Sequence, residues 1–307
     1  MFIKQLIDDT ENETHTADFT CQANGVPIPT ISWYFNDVPV NVSNTEKYEV
    51  LLSSPGVSII RIYNVQSSDV GTYTCNATNV VASITSSGIL TVNVSPNLTI
   101  PLMMQEFTVI EESNVSIMCI ATGYPPPTIY WYKSDGNSSM RPVSGSEVMS
   151  STGVGNVTTV SVELTLTGAM RVDAGMYTCS ASNIVSNDTD VTITLTIQFP
   201  PAITPELNDQ IQSEPDTASF TCQATGEPTP AIIWYFNGVP VDVANTTKYT
   251  VSVTSLNVTT NSSTLIIMNV QPSDVGTYTC NATNVVASDT SYGVLAISGE
   301  DHYIPKM

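Results

Sequence analysis

The sequence predicts an all-β chain of three tandem β-sandwiches in an elongated rod, and three observations carry that prediction. A seven-residue stretch recurs as Asp69-Val-Gly-Thr-Tyr73-Thr-Cys75, Asp173-Ala-Gly-Met-Tyr177-Thr-Cys179 and Asp274-Val-Gly-Thr-Tyr278-Thr-Cys280. Each copy follows a Cys and then a Trp at one fixed offset: Cys21 and Trp33, Cys119 and Trp131, Cys222 and Trp234. Between these landmarks apolar residues alternate with polar ones, as in Ile60-x-Ile62 and Leu265-x-Ile267, the period of a half-buried strand. The 307 residues contain 6 Cys and 3 Trp, so the repeat uses all of both.

This order of Cys, Trp, Tyr and Cys resembles immunoglobulin-like domains of the I-set, a superfamily of cell-adhesion molecules, receptor ectodomains and hemicentin-like matrix proteins. The resemblance covers nearly the whole chain. It implies inter-sheet bridges Cys21–Cys75, Cys119–Cys179 and Cys222–Cys280, with Trp33, Trp131 and Trp234 packed against them. Tyr73, Tyr177 and Tyr278 then form tyrosine corners, each hydroxyl bonding to backbone upstream. The Gly four residues before the second Cys fits a close approach into its strand. For Asp69 and Asp274, Lys47 and Lys248 are candidate cations. The function implied is extracellular recognition or adhesion through sandwich faces, with protein partners; the resemblance leaves open whether a second copy of the chain is one of them. The alternatives are the ligand-binding ectodomain of a receptor kinase or phosphatase, and a structural array segment of a hemicentin-like matrix protein.

Taken in order, the first domain spans residues 1–95, with a truncated first strand. Its strands fall at Ala17–Gln22, Ile31–Phe35, around Ile60 and Ile62, around Tyr73 and Cys75, and at Gly88–Val94. The second, 96–198, repeats them with Ile129–Tyr132, Leu164-x-Leu166 and Val191–Ile197. The third, 199–298, has Ile232–Phe236, Leu265-x-Ile267 and Gly293–Ile297, and 299–307 form a tail. Proline-bearing junctions, Val94-Ser-Pro96 and Phe199-Pro-Pro201, let each last strand run almost directly into the next domain. The first and third domains are near duplicates: Asn64–Ser83 and Asn269–Ser288 differ only at Ser67 and Pro272.

Charge and cysteine use bound the function. With 28 acidic against 8 basic residues the net charge is -20, and the cations are scattered, which argues against nucleic acid and heparin as partners. Paired cysteines in small β domains point to an oxidising compartment. Asn-X-Ser/Thr sequons at Asn12, Asn41, Asn76, Asn93, Asn97, Asn114, Asn137, Asn156, Asn187, Asn245, Asn257, Asn261 and Asn281 point to a glycoprotein at the cell surface or secreted. The opening MFIKQLIDDT lacks the apolar core of a signal peptide, and no apolar run reaches membrane-spanning length. The expectation is therefore a fragment, with leader and membrane anchor in missing segments.

Catalysis is not expected. The 2 histidines, His15 and His302, lie near the ends, and every cysteine is committed to the repeat. No zinc-ligand spacing or phosphate-binding glycine loop is present, so no cofactor or metal is expected. The acids Asp188, Asp190, Glu300 and Asp301 read as solvated loop residues.

Alternation sorts the faces. In the repeat the residue after the second Cys points outward: Asn76 in the first domain, Asn281 in the third, Ser180 in the second. Glycans on Asn76, Asn93 and Asn281 would cover the centre of that face in the outer two domains. The second domain keeps it open, with Tyr130, Tyr132, Thr178, Ser180 and Thr194, alongside Thr192 and Thr196, expected outward. Tyrosines among small polar residues make this the candidate partner-binding surface.

Overall fold

The computed structural model describes residues 2–100, 106–134, 140–143, 146–150, 156–186 and 189–298. Over these residues the chain is all-β, as the sequence predicts, apart from single 3-10 turns at Ser67–Asp69, Arg171–Asp173 and Pro272–Asp274. It packs as two compact units. Met1–Glu106, Val115–Leu166 and Gly175–Thr194 make up one; Phe107–Asn114, Thr167–Ala174 and Leu195–Met307 make up the other.

The first unit begins with β1 (Phe2–Ile3), β2 (Asp9–Asn12), β3 (Ala17–Asn24), β4 (Thr30–Phe35), β5 (Val38–Pro39), β6 (Tyr48–Ser54), β7 (Val57–Ile62), β8 (Gly71–Thr78) and β9 (Ser83–Thr99). One sheet has the order β1-β3-β7-β6; the other runs β9-β8-β4-β5, with β2 parallel to β9. The middle segment follows as β10 (Glu106–Ile110), β11 (Val115–Tyr124), β12 (Thr128–Ser134), β13 (Met140–Val143), β14 (Ser146–Ser150), β15 (Thr158–Leu166), β16 (Gly175–Ser182) and β17 (Thr189–Ile203). Here β14-β15-β11 and β13-β12-β16 are the hydrogen-bonded runs.

Strand β9 is longer than the Gly88–Val94 read from sequence. It pairs with β8 through Leu90, with β2 through Asn93, and with β11 from Val94 to Thr99. Pro96 has no N–H for a ladder, and it falls opposite the register shift between Thr122 and Tyr124, so the strand passes through without a break.

In the second unit Phe199–Ile203 of β17 pairs with β19 (Ala218–Glu227), after β18 (Gln210–Gln212). The strands that follow are β20 (Ala231–Phe236), β21 (Val239–Pro240), β22 (Tyr249–Asn257), β23 (Thr260–Ile267), β24 (Gly276–Thr283) and β25 (Ser288–Ile297). Sheets β19-β23-β22 and β18-β25-β24-β20-β21 enclose the C-terminal core. The hairpins β4–β5 and β20–β21 turn on Asn36-Asp37 and Asn237-Gly238. All four residues have positive φ, the pairing that matches strand twist in a two-residue turn.

Each sandwich is pinned by one bridge: Cys21–Cys75, Cys119–Cys179 and Cys222–Cys280, and every one of these cysteines is fully buried. Trp33, Trp131 and Trp234 are buried with them. The indole N–H groups of Trp33 and Trp234 donate to Ser58 Oγ at 3.0 Å and Ser263 Oγ at 2.9 Å, and that of Trp131 to the Val162 carbonyl at 3.3 Å. Ser58 and Ser263 escaped the sequence reading. Their signal is a serine on the inward phase of the strand facing the first cysteine, since Cys21 pairs with Ser58 and Cys222 with Ser263.

Tyr73 lies between Phe19, on which it stacks, and Phe35, which meets it at a tilt of 32°, and its hydroxyl donates to the Asp69 carbonyl at 3.3 Å. Tyr278 repeats this with Phe220, Phe236 and the Asp274 carbonyl at 3.0 Å. Burial pushes both phenols well above the ordinary tyrosine pKa, so each stays a donor. Lys47 and Lys248 do reach their aspartates. The Lys47 ammonium donates to the Tyr63 and Asn64 carbonyls, each at 3.1 Å, and to Asp69; Lys248 donates to the Met268 and Asn269 carbonyls and to Asp274.

The glycine at the start of β8 is a matter of space. A Cβ on Gly71 would lie 2.6 Å from Asn36 Oδ1 and 2.7 Å from the Phe35 ring, and Gly276 meets Asn237 and Phe236 in the same way. Asn36 cannot retreat freely, because its Oδ1 accepts the Thr72 N–H at 2.9 Å. Gly71→Ala is expected to destabilise the N-terminal sandwich by about 1–3 kcal/mol through this crowding, whereas at Gly175, with only Lys133 Cε at 3.7 Å, an alanine is opposed by the φ of +136° and not by its neighbours. Urea unfolding of the Gly71→Ala variant checks the first cost.

Candidate recognition face

Strands β12 and β16 place Tyr130 opposite Ser180 and Tyr132 opposite Thr178, on the side away from buried Trp131 and Cys179. Tyr130 is 50% exposed, Tyr132 and Ser180 are half-buried, and the two tyrosine rings lie 6.4 Å apart. On β17, Thr192 and Thr194 are exposed and Thr196 is half-buried. Thr178 is a correction to the sequence reading. It lies on the outward phase yet is only 5% exposed, because Tyr132 stands opposite and its hydroxyl is tied to Thr192 Oγ1 at 3.0 Å. It forms the floor under the tyrosines and offers a partner almost nothing to touch.

The equivalent faces of the other two sandwiches differ at their centres. Asn76 on β8 lies between Ser32 and Thr85, and Asn281 on β24 between Ile233 and Thr290. Each Oδ1 accepts its sequon threonine hydroxyl, Thr78 or Thr283, at 3.3 Å. Asn93 does not join Asn76 at the centre. It sits past Leu90, where the β8 ladder stops, and its Nδ2 donates to Asn12 Oδ1 at 3.2 Å on the parallel strand β2. That bond uses the nitrogen a glycan would take, and the position is the end of the sheet, not its centre.

The remaining sequons divide by what their side chains hold. Asn41, Asn97, Asn114, Asn245 and Asn257 are exposed. In Asn245 and Asn257, Oδ1 accepts the hydroxyl of Thr247 at 2.8 Å and of Thr259 at 3.1 Å. Asn156 and Asn261 instead spend Nδ2, the atom a glycan would take, on the carbonyls of Val92 at 3.1 Å and Pro230 at 2.9 Å. Asn137, Asn187, Asp188 and the tail with Glu300, Asp301 and His302 lie outside the described residues.

A further set of asparagines went unread in the sequence although it recurs four residues after each second cysteine. Asn79, Asn183 and Asn284 cap the loop before the last strand of each sandwich, each Oδ1 accepting two backbone N–H groups. Their Nδ2 groups reach the proline-bearing loop opposite, at the carbonyls of Pro27, Pro125 and Pro228. Asn183 and Asn284 also hold the incoming strand, through the carbonyls of Val94 at 2.8 Å and Phe199 at 2.9 Å.

Comparison with known proteins agrees with this architecture. Residues 1–92 match the immunoglobulin I-set domain profile, and residues 95–183 and 200–284 match an immunoglobulin domain profile. Mouse Hemicentin-1 is 30% identical over 306 residues, which is 97% of this chain and 5% of the relative. Human Roundabout homolog 2 is 28% identical over 310 residues, 99% of this chain and 21% of the relative. The chain thus spans a small part of the relatives it matches. The I-band fragment I67-I69 from titin superposes with a TM-score of 0.66 at 21% identity, covering 97% of this chain and 98% of the fragment, a likeness of fold. With a buried bridge and tryptophan in each sandwich and matching profiles over most of its length, the chain belongs to the immunoglobulin-domain family.

Proposed function

We propose that the chain is an extracellular, non-enzymatic recognition segment of three sandwiches, at 1–95, 96–198 and 199–298, that binds protein partners through the middle one. The observation that carries this is the contrast at one equivalent position. Sequon asparagines Asn76 and Asn281 occupy the face centres of the near-duplicate sandwiches, and Ser180 occupies the middle one. A branched glycan at the centre of a face excludes a partner that must bury about 800 Å² there. The three disulfides support an oxidising compartment. The reading serves equally for a segment of a receptor ectodomain or of a hemicentin-like array.

The contacting residues are Tyr130, Tyr132, Ser180 and Thr194, with Tyr132 as anchor. Tyr132→Ala is expected to weaken binding by about 1 kcal/mol or more. Ser180→Asn creates a sequon with Ala181 and Ser182 and is expected to abolish binding. Both are measured as cell-surface binding of the labelled, secreted chain. Full binding by a Ser180→Asn chain whose glycan is verified by mass would eliminate this face.

A further inference from the structure

The near-duplicate sandwiches differ on the outer face, around the sequon that both carry there. In the C-terminal sandwich the ladder sets Asn281 on β24 between Ile233 on β20 and Thr290 on β25. Two residues along, Thr279 lies between Tyr235 and Tyr292. The first sandwich has the same grid, with Asn76 between Ser32 and Thr85, and Thr74 between Tyr34 and Ser87. The grids differ at two places: Ile233 stands where the first sandwich has Ser32, and Tyr292 where it has Ser87.

Both exchanges put apolar surface in the open beside the sequon. Ile233 is 52% and Tyr292 67% exposed, and Tyr235 is half-buried. The serines of the first sandwich are polar and already bonded: Ser32 Oγ donates to the Asn76 carbonyl at 3.5 Å, and the Ser87 and Thr74 hydroxyls share a bond of 2.8 Å. Asn281 Oδ1 accepts the Thr283 hydroxyl, while its Nδ2, the atom a glycan takes, has no acceptor among the described residues. Directly opposite side chains in a ladder have Cβ atoms about 5 Å apart, and diagonal ones about 7–8 Å, within reach of an aromatic ring. Ile233 is the direct neighbour of Asn281, and Tyr235 and Tyr292 are diagonal ones. Three apolar groups thus surround one free linkage nitrogen.

We infer that this patch is a docking platform for the chain's own sugar: the first N-acetylglucosamine on Asn281 lies flat against Ile233 and Tyr292. The inference rests on the glycan proposed above for Asn281. Attachment selects the occupant, because a sugar tethered at the centre of the patch meets it at an effective concentration that a free partner does not reach. The chemistry also fits. A β-linked N-acetylglucosamine carries its substituents equatorially, so its axial C–H groups form an apolar face. Those hydrogens are slightly positive and are drawn to the negative face of a tyrosine ring. Ile233 adds apolar area that the sugar removes from water. A glycan on Asn76 finds Ser32 and Ser87 instead, with no such platform. The two outer faces are then shielded differently, by a sugar held down on the C-terminal sandwich and by one that swings free on the first.

Tetranitromethane nitration of the secreted, glycosylated chain, read by peptide mass, tests this. A contact the size of an aromatic pair favours the covered state about fivefold, so Tyr292 is expected to react about fivefold more slowly than in Thr283→Ala, which removes the sequon and keeps Asn281. Trimming the glycans to their first sugar with an endoglycosidase is expected to preserve that protection. Tyr34, which holds the place of Tyr235 in the first sandwich, is expected to react equally with its sequon intact and in Thr78→Ala. Buried Tyr278 should stay unreacted throughout, which certifies the fold. Equal Tyr292 rates with Asn281 occupied and with its sequon removed overturn the inference and leave the patch open to a protein partner. Protection lost on trimming overturns it too, since outer branches would then be sweeping the face. So does protection of Tyr34 as large as that of Tyr235, because any glycan would then shield a nearby tyrosine. A peptide mass showing bare Asn281 is a distinct result: it refutes the glycan on which the inference rests, and the inference with it.

Discussion

Replacing Cys222 and Cys280 together by alanine is expected to cost the C-terminal sandwich about 4 kcal/mol. The bridge closes a separation of 58 residues, and the chain-entropy cost of opening such a loop has that size. Against the 5–15 kcal/mol that typically holds a single domain together, this is enough to leave the sandwich marginal. The N-terminal sandwich is an internal replicate. Its bridge spans 54 residues, its Trp33–Ser58 bond matches Trp234–Ser263, and its Phe–Tyr–Phe stack has the same members. The same exchange at Cys21 and Cys75 should therefore cost the same within experimental error. Urea unfolding followed by tryptophan fluorescence measures both. A loss under 1 kcal/mol in either would mean that packing around the tryptophan holds the sheets together without the bridge.

The second large effect is at Lys47. Its side chain is 21% exposed and Asp69 is 8% exposed, so this is a mostly buried pair. The ammonium has three acceptors for its three protons: the carbonyls of Tyr63 and Asn64 and the Asp69 carboxylate. Lys47→Met leaves those carbonyls and a buried carboxylate without their cation, at an expected cost of about 3 kcal/mol. Asp69 also accepts the Gln66 N–H at 2.7 Å, which holds the turn that delivers Tyr73 to the core. Replacing both members by apolar residues should therefore not recover full stability. Lys248→Met should cost as much, since it removes the same three bonds. A loss below 1 kcal/mol, the size of an exposed pair, would show that water already screens the site.

Much of this was legible in the sequence because it depends on short, periodic spacing. The offset between Cys and Trp and the two-residue step from Tyr to Cys determine which side chains share the core face. The pairing of Lys47 with Asp69 could be read because one of the few cations recurs at the same place in both duplicates. What escaped depends on neighbours that lie far along the chain. Thr178 points outward as alternation requires, but its burial is decided by Tyr132 across the ladder and Thr192 beside it. Asn93 is outward too, yet its place at the sheet end follows from the parallel pairing of β2 with β9. Ser58 becomes the indole's partner only once the register sets it against Cys21. The length of β9 follows from a ladder that changes partners without stopping.

The same distinction bears on glycosylation, where a sequon is a local pattern and its consequence is not. Asn76 and Asn281 matter because strands β8 and β24 place them at the centres of their faces, while Asn156 and Asn261 hold backbone carbonyls with the nitrogen a glycan would need. Site-resolved glycopeptide mapping of the chain secreted from eukaryotic cells tests most directly whether glycans decide which face stays open. The account predicts glycans on Asn76 and Asn281 in nearly every molecule and none on Asn156 or Asn261. Bare Asn76 and Asn281 would contradict it, since all three sandwiches would then present equivalent faces and nothing would single out the middle one.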